Sequence, residues 1–461
     1  MYYSSTRGLE TSVDFEDVVL NGLSKDGGLY VPNSIPRFNK QEIESFKNLE
    51  YYQLAHKITY PFVSSGIESE EYLKICKKTY ENFSDNKIIS LSELDKNEFI
   101  LNLFHGPTFA FKDYALQLLG NIYEFILNKK NIHLTIIGAT SGDTGSAAIE
   151  GCSKSEFVNM FILFPYKKVS EIQRRQMTTI QKKNVFNIAI KGDFDDCQNI
   201  VKSLFERNNK RKLFNLAAVN SINWVRIMGQ IVYYFWAYSN FINDFRKVNF
   251  TIPTGNFGNA FAGYFSGKMG LPISKIIVAS NLNDVLTRFF ETGIMKKNNT
   301  IKTLSPSMDI QISSNFERLL FDFYNNDRNL LKKLFESFKN EGFFKIPKKK
   351  LENILKFFVG GRLNDIKTKK TIYEIYRKHK IILDPHTAVG INVGRSKCSK
   401  EETNFYLATA HYAKFIDTVN LSTNNDNQLP EKLKKILSKD EFYKVIPNNT
   451  ELVEDFIIKN T

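Results

Sequence analysis

A lysine, Lys112, stands in the stretch FHGPTFAFKDYALQLL at the point where an apolar segment begins. Apolar residues recur at positions 111, 115, 118, 119, 122 and 126, and this spacing predicts a helix with one buried face. Two interpretations are open: a solvated residue in a first helical turn, as most lysines are, or an amine held out of water. Because burial lowers the pKa of an amine, the second interpretation predicts a nucleophile or proton carrier.

Two glycine-rich loops could bind anions. The loop GNFGN, within IPTGNFGNAFAG, lies between a predicted strand and a predicted helix, where backbone N–H groups could surround a phosphate. It matches neither the GxxxxGK[ST] nor the GxGxxG pattern of nucleotide-binding loops. The loop ATSGDTG also precedes a predicted helix, and its Ser141 and Thr144 could hold an oxyanion or carboxylate. Either loop could equally be an ordinary turn.

A reactive lysine and a phosphate-binding loop are the minimum set of groups that binds pyridoxal phosphate. The lysine forms a Schiff base with the aldehyde, the loop holds the phosphate, and the ring serves as an electron sink. The histidines His105, His386 and His411 are not spaced with another histidine or a carboxylate as a metal pair would be. We therefore expect no metal site, and we interpret His105 and His386 as hydrogen-bonded structural residues.

The composition indicates a folded protein of the cytoplasm. The 461 residues carry a net charge of +14, but the lysines are spread along the chain, so neither a nucleic acid nor a membrane is expected as a partner. The four cysteines are far apart and form no CxxC pair, which favours a reducing compartment. The first twenty residues lack the apolar core of a secretory signal, and the most apolar stretch, VRIMGQIVYYFWAYSNF, contains Arg226 and Gln230.

Predicted strands alternate with predicted helices, which indicates an α/β fold with open, mostly parallel sheets. The apolar run 132–137 reads as a buried strand, and FVNMFILFP, NVFNIAIKGD and KVNFTIP read as further strands. We expect an N-terminal subdomain over residues 1–90, an α/β domain over 91–215 with Lys112 and SGDTG, and a larger α/β domain over 216–461. The last range contains the GNFGN loop and a helical insertion at about 320–380.

Together, ten segments in this order resemble threonine synthases over nearly the whole chain, and in particular the longer, bacterial and fungal branch of that family. The segments are STRG, GLSKDGGLYVP, FHGPTFAFKD, ATSGDTGSAA, VSEIQRRQM, VNSINWVRIMGQ, PTGNFGNAFAGY, SMDIQISSNFERLLF, DPHTAVG and TAHYAKF. Each segment is weak evidence alone, but their order is specific to this family.

The resemblance implies a fold-type II pyridoxal-phosphate enzyme, similar to the tryptophan synthase β-chain, with the cofactor between two α/β domains. Lys112 matches the lysine that carries the cofactor, and Thr409 matches the hydroxyl that faces the pyridine nitrogen. Asp143 stands beside the phenolic oxygen, where many relatives of this fold carry Asn. The residues that match the loop holding the cofactor phosphate are Gly255, Asn256, Phe257, Gly258 and Asn259.

The resemblance further implies conversion of O-phospho-L-homoserine and water to L-threonine and phosphate, a lyase reaction that completes threonine biosynthesis, by a monomer or homodimer. Candidate residues for the substrate phosphate are Thr140, Ser141, Thr144, Asn220, Ser221 and Arg226. Arg226 is the natural bidentate partner of a phosphate, although it could instead be a surface arginine on a helix. The alternatives are a related lyase, such as a threonine or serine dehydratase or an O-phospho-amino-acid phospho-lyase, and a non-enzymatic cofactor-binding or nucleic-acid-binding protein.

Overall fold

Two parallel β-sheets form the framework of the protein, which we describe from a computed structural model covering residues 1–83, 87–218 and 220–461. The described strands are β1 (Tyr3–Ser5), β2 (Tyr30–Pro32), β3 (Ser90–Asp95), β4 (Glu98–Asn102), β5 (Leu134–Ala139), β6 (Val158–Pro165), β7 (Val185–Lys191), β8 (Leu216–Ala218), β9 (Val248–Pro253), β10 (Ile273–Ser280), β11 (Ile294–Lys296), β12 (Phe343–Lys345), β13 (Phe358–Arg362), β14 (Asn404–Ala408) and β15 (Lys444–Pro447).

Helices connect these strands and cover both sheets. The described helices are α1 (Phe15–Asn21), α2 (Lys40–Ser45), α3 (Tyr51–Val63), α4 (Ser69–Tyr80), α5 (Lys112–Lys130), α6 (Asp143–Cys152), α7 (Glu171–Thr178), α8 (Phe194–Arg211), α9 (Trp224–Phe241), α10 (Gly258–Lys268), α11 (Val285–Thr292), α12 (Phe316–Phe323), α13 (Arg328–Glu341), α14 (Lys348–Leu355), α15 (Asp365–His379), α16 (Pro385–Lys397), α17 (Ile416–Thr423), α18 (Glu431–Leu437) and α19 (Thr450–Lys459).

The larger sheet has the strand order β13-β10-β9-β14-β4-β3 and the smaller sheet the order β15-β7-β6-β5-β8 among the described residues. Neighbouring strands pair in parallel, except that β3 is antiparallel to β4. Parallel sheets are covered on both faces, and β9 accordingly consists of buried residues throughout. The predicted α/β fold class is confirmed.

Several predicted elements are also confirmed. The helix that follows Lys112 is α5, and the strand predicted at 132–137 is β5, two residues further along. The GNFGN loop joins β9 to α10, as its glycines and flanking patterns predicted. The segment at about 320–380 contains α13, α14 and α15, but also β12 and β13, and β13 forms an edge of the larger sheet.

The order of the strands along the chain does not follow their division between the two sheets. β3 and β4 precede the smaller sheet in sequence but belong to the larger one, and β15 returns from the carboxyl end of the chain to pair with β7 of the smaller sheet. The ranges 1–90, 91–215 and 216–461 remain a prediction of domain boundaries. The division of the strands between the two sheets differs from these ranges, because parallel strands are joined by long crossover connections.

Helices α5 and α6 approach closely through a pair of glycines. A Cβ atom on Gly120 would lie 2.0 Å from the carbonyl oxygen of Gly151, and a Cβ atom on Gly151 would lie 2.4 Å from the carbonyl oxygen of Leu116. No side chain fits in this contact. Because Lys112 begins α5 and Asp143 begins α6, the glycine pair helps to set the distance between these two residues, which line the same cleft.

Helix α9 contains the most apolar stretch of the sequence and lies in the protein core. Its side chains are buried on nearly all faces, and a Cβ atom on Gly229 would lie 3.0 Å from the Cα atom of Ala115 in α5. In the described part of the chain, every helix is too short or too polar to cross a bilayer. Packing against α5 explains the apolar composition of α9 and places its first turn, with Arg226, beside Lys112.

Candidate active site

A cleft lies at the carboxyl ends of strands from both sheets. Its walls come from the segments after β5 and β8 of the smaller sheet and after β9 and β14 of the larger one, the usual position of ligands in open α/β folds. The predicted site residues that line it are Lys112, Asp143, Thr144, Ser221, Arg226, Gly255, Asn256, Phe257, Gly258, Asn259 and Thr409. Thr140, Ser141 and Asn220 are not among the lining residues.

Lys112 is the first residue of α5, and its side chain is only 12% exposed. Its Nζ atom lies 3.4 Å from Oδ2 of Asp143 and 5.2 Å from the centre of the Phe111 ring. Burial lowers the pKa of the Lys112 amine; Asp143 opposes this shift, whereas the positive charges of Lys414 and Arg226 add to it. Burial in the cleft therefore makes this amine easier to deprotonate than an exposed lysine.

Asp143 is the first residue of α6 and is held by groups from four separate segments. Its Oδ1 accepts hydrogen bonds from Nζ of Lys414 and Nε2 of Gln173, both at 2.8 Å, while its Oδ2 accepts from Oγ of Ser307 at 3.1 Å and faces Lys112. Burial alone would raise the pKa of Asp143, but Lys414 and Lys112 hold it well below its usual range. The carboxylate is ionised and fixed in orientation.

Thr140 shapes the turn that begins α6 and does not face the cleft. Its Oγ1 atom accepts hydrogen bonds from the backbone N–H groups of Gly142 and Gly145, at 2.9 and 2.8 Å. Gly142 has φ = +138°, a conformation that side chains rarely adopt. This turn directs Thr144 rather than Thr140 into the cleft, so the loop offers fewer direct contacts to a ligand than its hydroxyl groups suggested.

The GNFGN loop lines the cleft at the start of α10. Its first two carbonyl groups bond to the segment 313–315: Gly255 accepts a hydrogen bond from Oγ of Ser313 at 2.8 Å, and Asn256 accepts from the backbone N–H of Asn315 at 3.0 Å. In a trans peptide the next N–H points opposite to the carbonyl, so the N–H groups of Asn256 and Phe257 point away from residues 313–315. Phe257 adopts φ = +62°, and the first N–H groups of α10 follow.

Asn259 adds a side-chain donor at the same helix terminus. The hydroxyl groups of Tyr233 and Tyr234 both donate to its Oδ1 atom at 2.6 Å, which fixes the orientation of the amide. The Nδ2 atom is buried and has no hydrogen-bond partner among the described residues, although Asn259 lines the cleft. An unpaired buried donor is costly unless a ligand satisfies it, and an anion would do so here.

Arg226 carries a second buried donor without a partner. Its Nη1 atom donates to the carbonyl oxygen of Asn220 at 2.9 Å, but its Nε atom is unpaired within the described residues. No carboxylate forms an ion pair with it in the described structure, and burial lowers its pKa to about 10. Arg226 is thus a buried cation on the cleft wall, not a surface residue, and Asn220 serves to position it.

Comparison with known proteins identifies the family. Three family models match: "Threonine synthase N terminus" over residues 2–80, "Pyridoxal-phosphate dependent enzyme" over 86–331 and "Threonine synthase, C-terminal" over 387–457. The threonine synthase of Pseudomonas aeruginosa is 46% identical over 99% of this chain and 98% of its own length. That of Saccharomyces cerevisiae is 39% identical over 99% of this chain and 97% of its own length.

The chain belongs to the threonine synthase family. Two solved structures of this family superpose closely. The pyridoxal-phosphate-bound threonine synthase of Brucella melitensis gives a TM-score of 0.96 at 42% identity, with 100% of this chain and 99% of that chain covered. Yeast threonine synthase gives a TM-score of 0.94 at 38% identity, with 99% and 98% covered. The fold is that of the type II pyridoxal-phosphate enzymes, as predicted.

The cleft fits the pyridoxal phosphate of the threonine synthase family. A phosphate needs several converging donors, and the N–H groups at the start of α10 together with the unpaired Nδ2 of Asn259 provide them. An aldehyde needs an amine, and the buried Nζ of Lys112 opens onto the same cleft. The predicted cofactor is supported by both the donor set and the family assignment.

The sequence did not indicate all residues of this site. Lys414, Gln173 and Ser307 bind Asp143 but were not predicted, although each lies in a segment that resembles threonine synthases. Lys414 follows the predicted Thr409 by five residues in TAHYAKF, and a lysine between apolar residues was a usable signal. Ser307 and Gln173 had no comparable signal, because serine and glutamine are common in loops and helices.

His386 lines the cleft and is part of a chain of hydrogen bonds. Its Nδ1 lies 2.8 Å from Oδ1 of Asp384, and its Nε2 accepts a hydrogen bond from the backbone N–H of Ser307 at 3.3 Å. Because Nε2 accepts, Nδ1 carries the ring hydrogen and donates a hydrogen bond to Oδ1 of Asp384. His105 contacts Oγ of Ser90 at 2.7 Å, and burial lowers the pKa of His411 to about 4.

Proposed function

We propose that this protein catalyses the threonine synthase reaction, in which O-phospho-L-homoserine and water give L-threonine and phosphate. The observation that carries the proposal is one cleft with a buried amine and two separate buried donors, on Asn259 and Arg226, that have no hydrogen-bond partner among the described residues. A cofactor phosphate and a substrate phosphate together would satisfy both donors. A dehydratase that acts on threonine or serine needs only the first of these two anion sites.

Lys112 would hold the cofactor and later move protons. Bound pyridoxal phosphate supplies an electron sink that stabilises negative charge at the α-carbon of an amino acid. As a free amine, Lys112 would remove the proton from the α-carbon of the bound substrate and would transfer protons at the β-carbon. A buried position that lowers its pKa supports this role, because a base must be unprotonated near neutral pH.

Arg226, Ser221 and Thr144 would bind the phosphate that leaves from the γ-carbon. Arg226 is the only one of these three with a charge to match the dianion, and Ser221 is positioned by a 2.9 Å hydrogen bond between its Oγ and that of Ser314. Ser314 in turn contacts Asn256 of the GNFGN loop at 3.3 Å. The two proposed anion sites are therefore connected through one hydroxyl pair. Thr140, Ser141 and Asn220 would support this site from behind the lining residues.

Thr409 and Asp143 would contact the cofactor ring. The hydroxyl group of Thr409 would face the pyridine nitrogen and would leave it largely unprotonated, whereas an aspartate there would protonate it. Asp143 would stand beside the phenolic oxygen, and its ion pair with Lys414 offsets the repulsion between two negative oxygens. The Gly255, Asn256, Phe257, Gly258 and Asn259 loop would hold the cofactor phosphate.

We also infer that the protein acts in the cytoplasm as a monomer or homodimer, without nucleic-acid or membrane partners. Buried, unpaired thiols at Cys76, Cys152 and Cys197 suit a reducing compartment. The basic residues form many separate ion pairs with surface carboxylates, which supports a solvated surface rather than a nucleic-acid interface. Light scattering of the purified protein would measure the oligomeric state.

The direct test combines a spectrum with a phosphate-release assay. The purified protein should show the visible absorbance of bound pyridoxal phosphate and should release phosphate from O-phospho-L-homoserine but not from O-phosphothreonine. Lys112→Ala should lose both properties, whereas Lys129→Ala, at the other end of α5, should keep both. Borohydride trapping of the cofactor on a residue other than Lys112, or equal turnover of O-phosphothreonine or threonine, would contradict the proposal.

A further inference from the structure

A second lysine is buried beside the proposed cofactor lysine. Lys414 lies in the 3₁₀ turn Tyr412–Phe415, and its side chain is 0% exposed. Its Nζ atom donates to the carbonyl oxygen of Thr108 and contacts Oδ1 of Asp143, both at 2.8 Å. A fully buried ammonium is costly unless charge and hydrogen bonds compensate it, so this position requires Asp143.

Asp143 separates the two lysines. Lys414 contacts Oδ1 at 2.8 Å, the length of a strong charged hydrogen bond, whereas Lys112 lies at 3.4 Å from Oδ2. The short contact is thus made by the lysine outside the cleft lining, and the long one by the lysine within it. Gln173 and Ser307 bind one oxygen each and keep the carboxylate from rotating between the two amines.

We propose that Lys414 is a positioning residue of the active site, whose buried ammonium neutralises Asp143 and so prevents this carboxylate from forming a full ion pair with Lys112. The proposal rests on the proposed role of Lys112 as the cofactor lysine. Lys414 acts through Asp143 and has no contact with the cleft in its own right. As a result, Asp143 would lie beside the cofactor as part of a neutral ion pair with Lys414 rather than as a free negative charge.

The charges around Lys112 support this assignment. Asp143 raises the pKa of Lys112, while Lys414 and Arg226 lower it in addition to burial. Lys414 also interacts with two further titratable groups, Asp113, whose pKa burial raises to about 6, and His411, whose pKa burial lowers to about 4. Without Lys414, Asp143 would act on Lys112 alone, and a negative charge at this distance shifts a pKa by about one unit or more.

The test is a pH titration of the absorbance of the bound cofactor in the holoenzyme. Lys414→Met keeps the length of the side chain and removes its charge. Its cofactor band should remain but titrate at a pH higher by about one unit or more than in the parent protein. The matched control is Lys432→Met, because Nζ of Lys432 donates to the carbonyl oxygen of Pro107, next to Thr108, without an ion pair to Asp143. This control should titrate like the parent.

A double variant separates charge compensation from packing. Asp143→Asn with Lys414→Met removes both charges, and it should titrate closer to the parent and melt at a higher temperature than Lys414→Met alone. If Lys414→Met does not fold, recovery of folding in the double variant gives the same answer. An unchanged titration in Lys414→Met, or a double variant no better than the single one, would overturn the proposal. Loss of the cofactor band in Lys112→Ala tests the proposed function independently.

Discussion

Ser307 donates a hydrogen bond from its Oγ to Oδ2 of Asp143 at 3.1 Å, although the two residues are 164 positions apart. Asp143 is the first residue of α6, which follows strand β5 of the smaller sheet. Ser307 lies between β11 and α12, on the other side of the cleft. The backbone N–H of Ser307 also donates to His386, which Asp384 holds in turn. This contact links the two sides of the cleft at the carboxylate that faces Lys112.

Removal of this link should affect catalysis more than folding. In Ser307→Ala the ionised Asp143 loses one donor, and a hydrogen bond to a charged group contributes about 1.5–3 kcal/mol. We expect kcat/KM for O-phospho-L-homoserine to fall roughly tenfold or more, with little change in melting temperature. Ser337→Ala, which removes an exposed hydroxyl from α13, is the control and should match the parent. Equal kinetics in the two variants would show that Ser307 does not matter for Asp143.

Replacement of Arg226 should separate phosphate recognition from cofactor binding. Arg226→Met removes the buried cation and should lower kcat/KM for O-phospho-L-homoserine by about 100-fold or more, while the cofactor absorbance persists. Arg226→Lys should recover only part of the loss, because an ammonium cannot make the paired contacts of a guanidinium. Inhibition by inorganic phosphate should weaken in parallel. A variant that loses the cofactor and keeps its phosphate inhibition would reverse our assignment of the two anion sites.

Gly151→Ala should disturb the contact between α5 and α6. The added Cβ atom would lie 2.4 Å from the carbonyl oxygen of Leu116, so the two helices must separate, at a cost of about 1–3 kcal/mol or more. The matched control is Gly267→Ala in α10, where a Cβ atom would meet its nearest neighbour at 3.8 Å, an ordinary contact. Alanine there should be neutral or stabilising by about 1 kcal/mol. Urea unfolding of both variants measures the difference.

The stability of the protein should depend on pH through Asp113. Burial raises the pKa of this carboxyl from 3.8 to about 6, even though Thr108 donates two hydrogen bonds to it. Between these two values the folded state binds more protons than the unfolded state, so the free energy of unfolding falls as pH rises. We expect Asp113 to contribute a decrease of up to about 3 kcal/mol from pH 4 to pH 7.

Asp113→Asn tests this contribution, because an amide does not titrate. Its unfolding free energy should vary less than that of the parent between pH 4 and pH 7, as measured by urea unfolding at several pH values. Asp143, whose pKa is held low, is ionised in both the folded and the unfolded state over most of this window; it affects stability mainly in more acidic solution, and it does so equally in parent and variant. A parent and variant with parallel pH profiles would show that Asp113 is already ionised or already neutral throughout.

Local patterns made part of this site predictable. Lys112 and the GNFGN loop each lie at the start of a helix. The amino-acid types at these positions indicate both a turn before the helix and groups that could bind a ligand. Thr140 shows the limit of such patterns. Its hydroxyl type suggested ligand binding, but the positive φ of Gly142 turns the loop so that Thr140 binds its own backbone.

The sequence by itself determined the alternating α/β order, the amine at position 112 and the glycine-rich loop, because these depend on neighbours within one turn or strand. Only the tertiary structure decided which groups meet that amine. Lys414 and Ser307 reach Asp143 because the loops of both sheets converge at one edge, and strands such as β4 and β15 join sheets distant in sequence. Burial and charge compensation depend on such long-range contacts, which residue types along the chain do not specify.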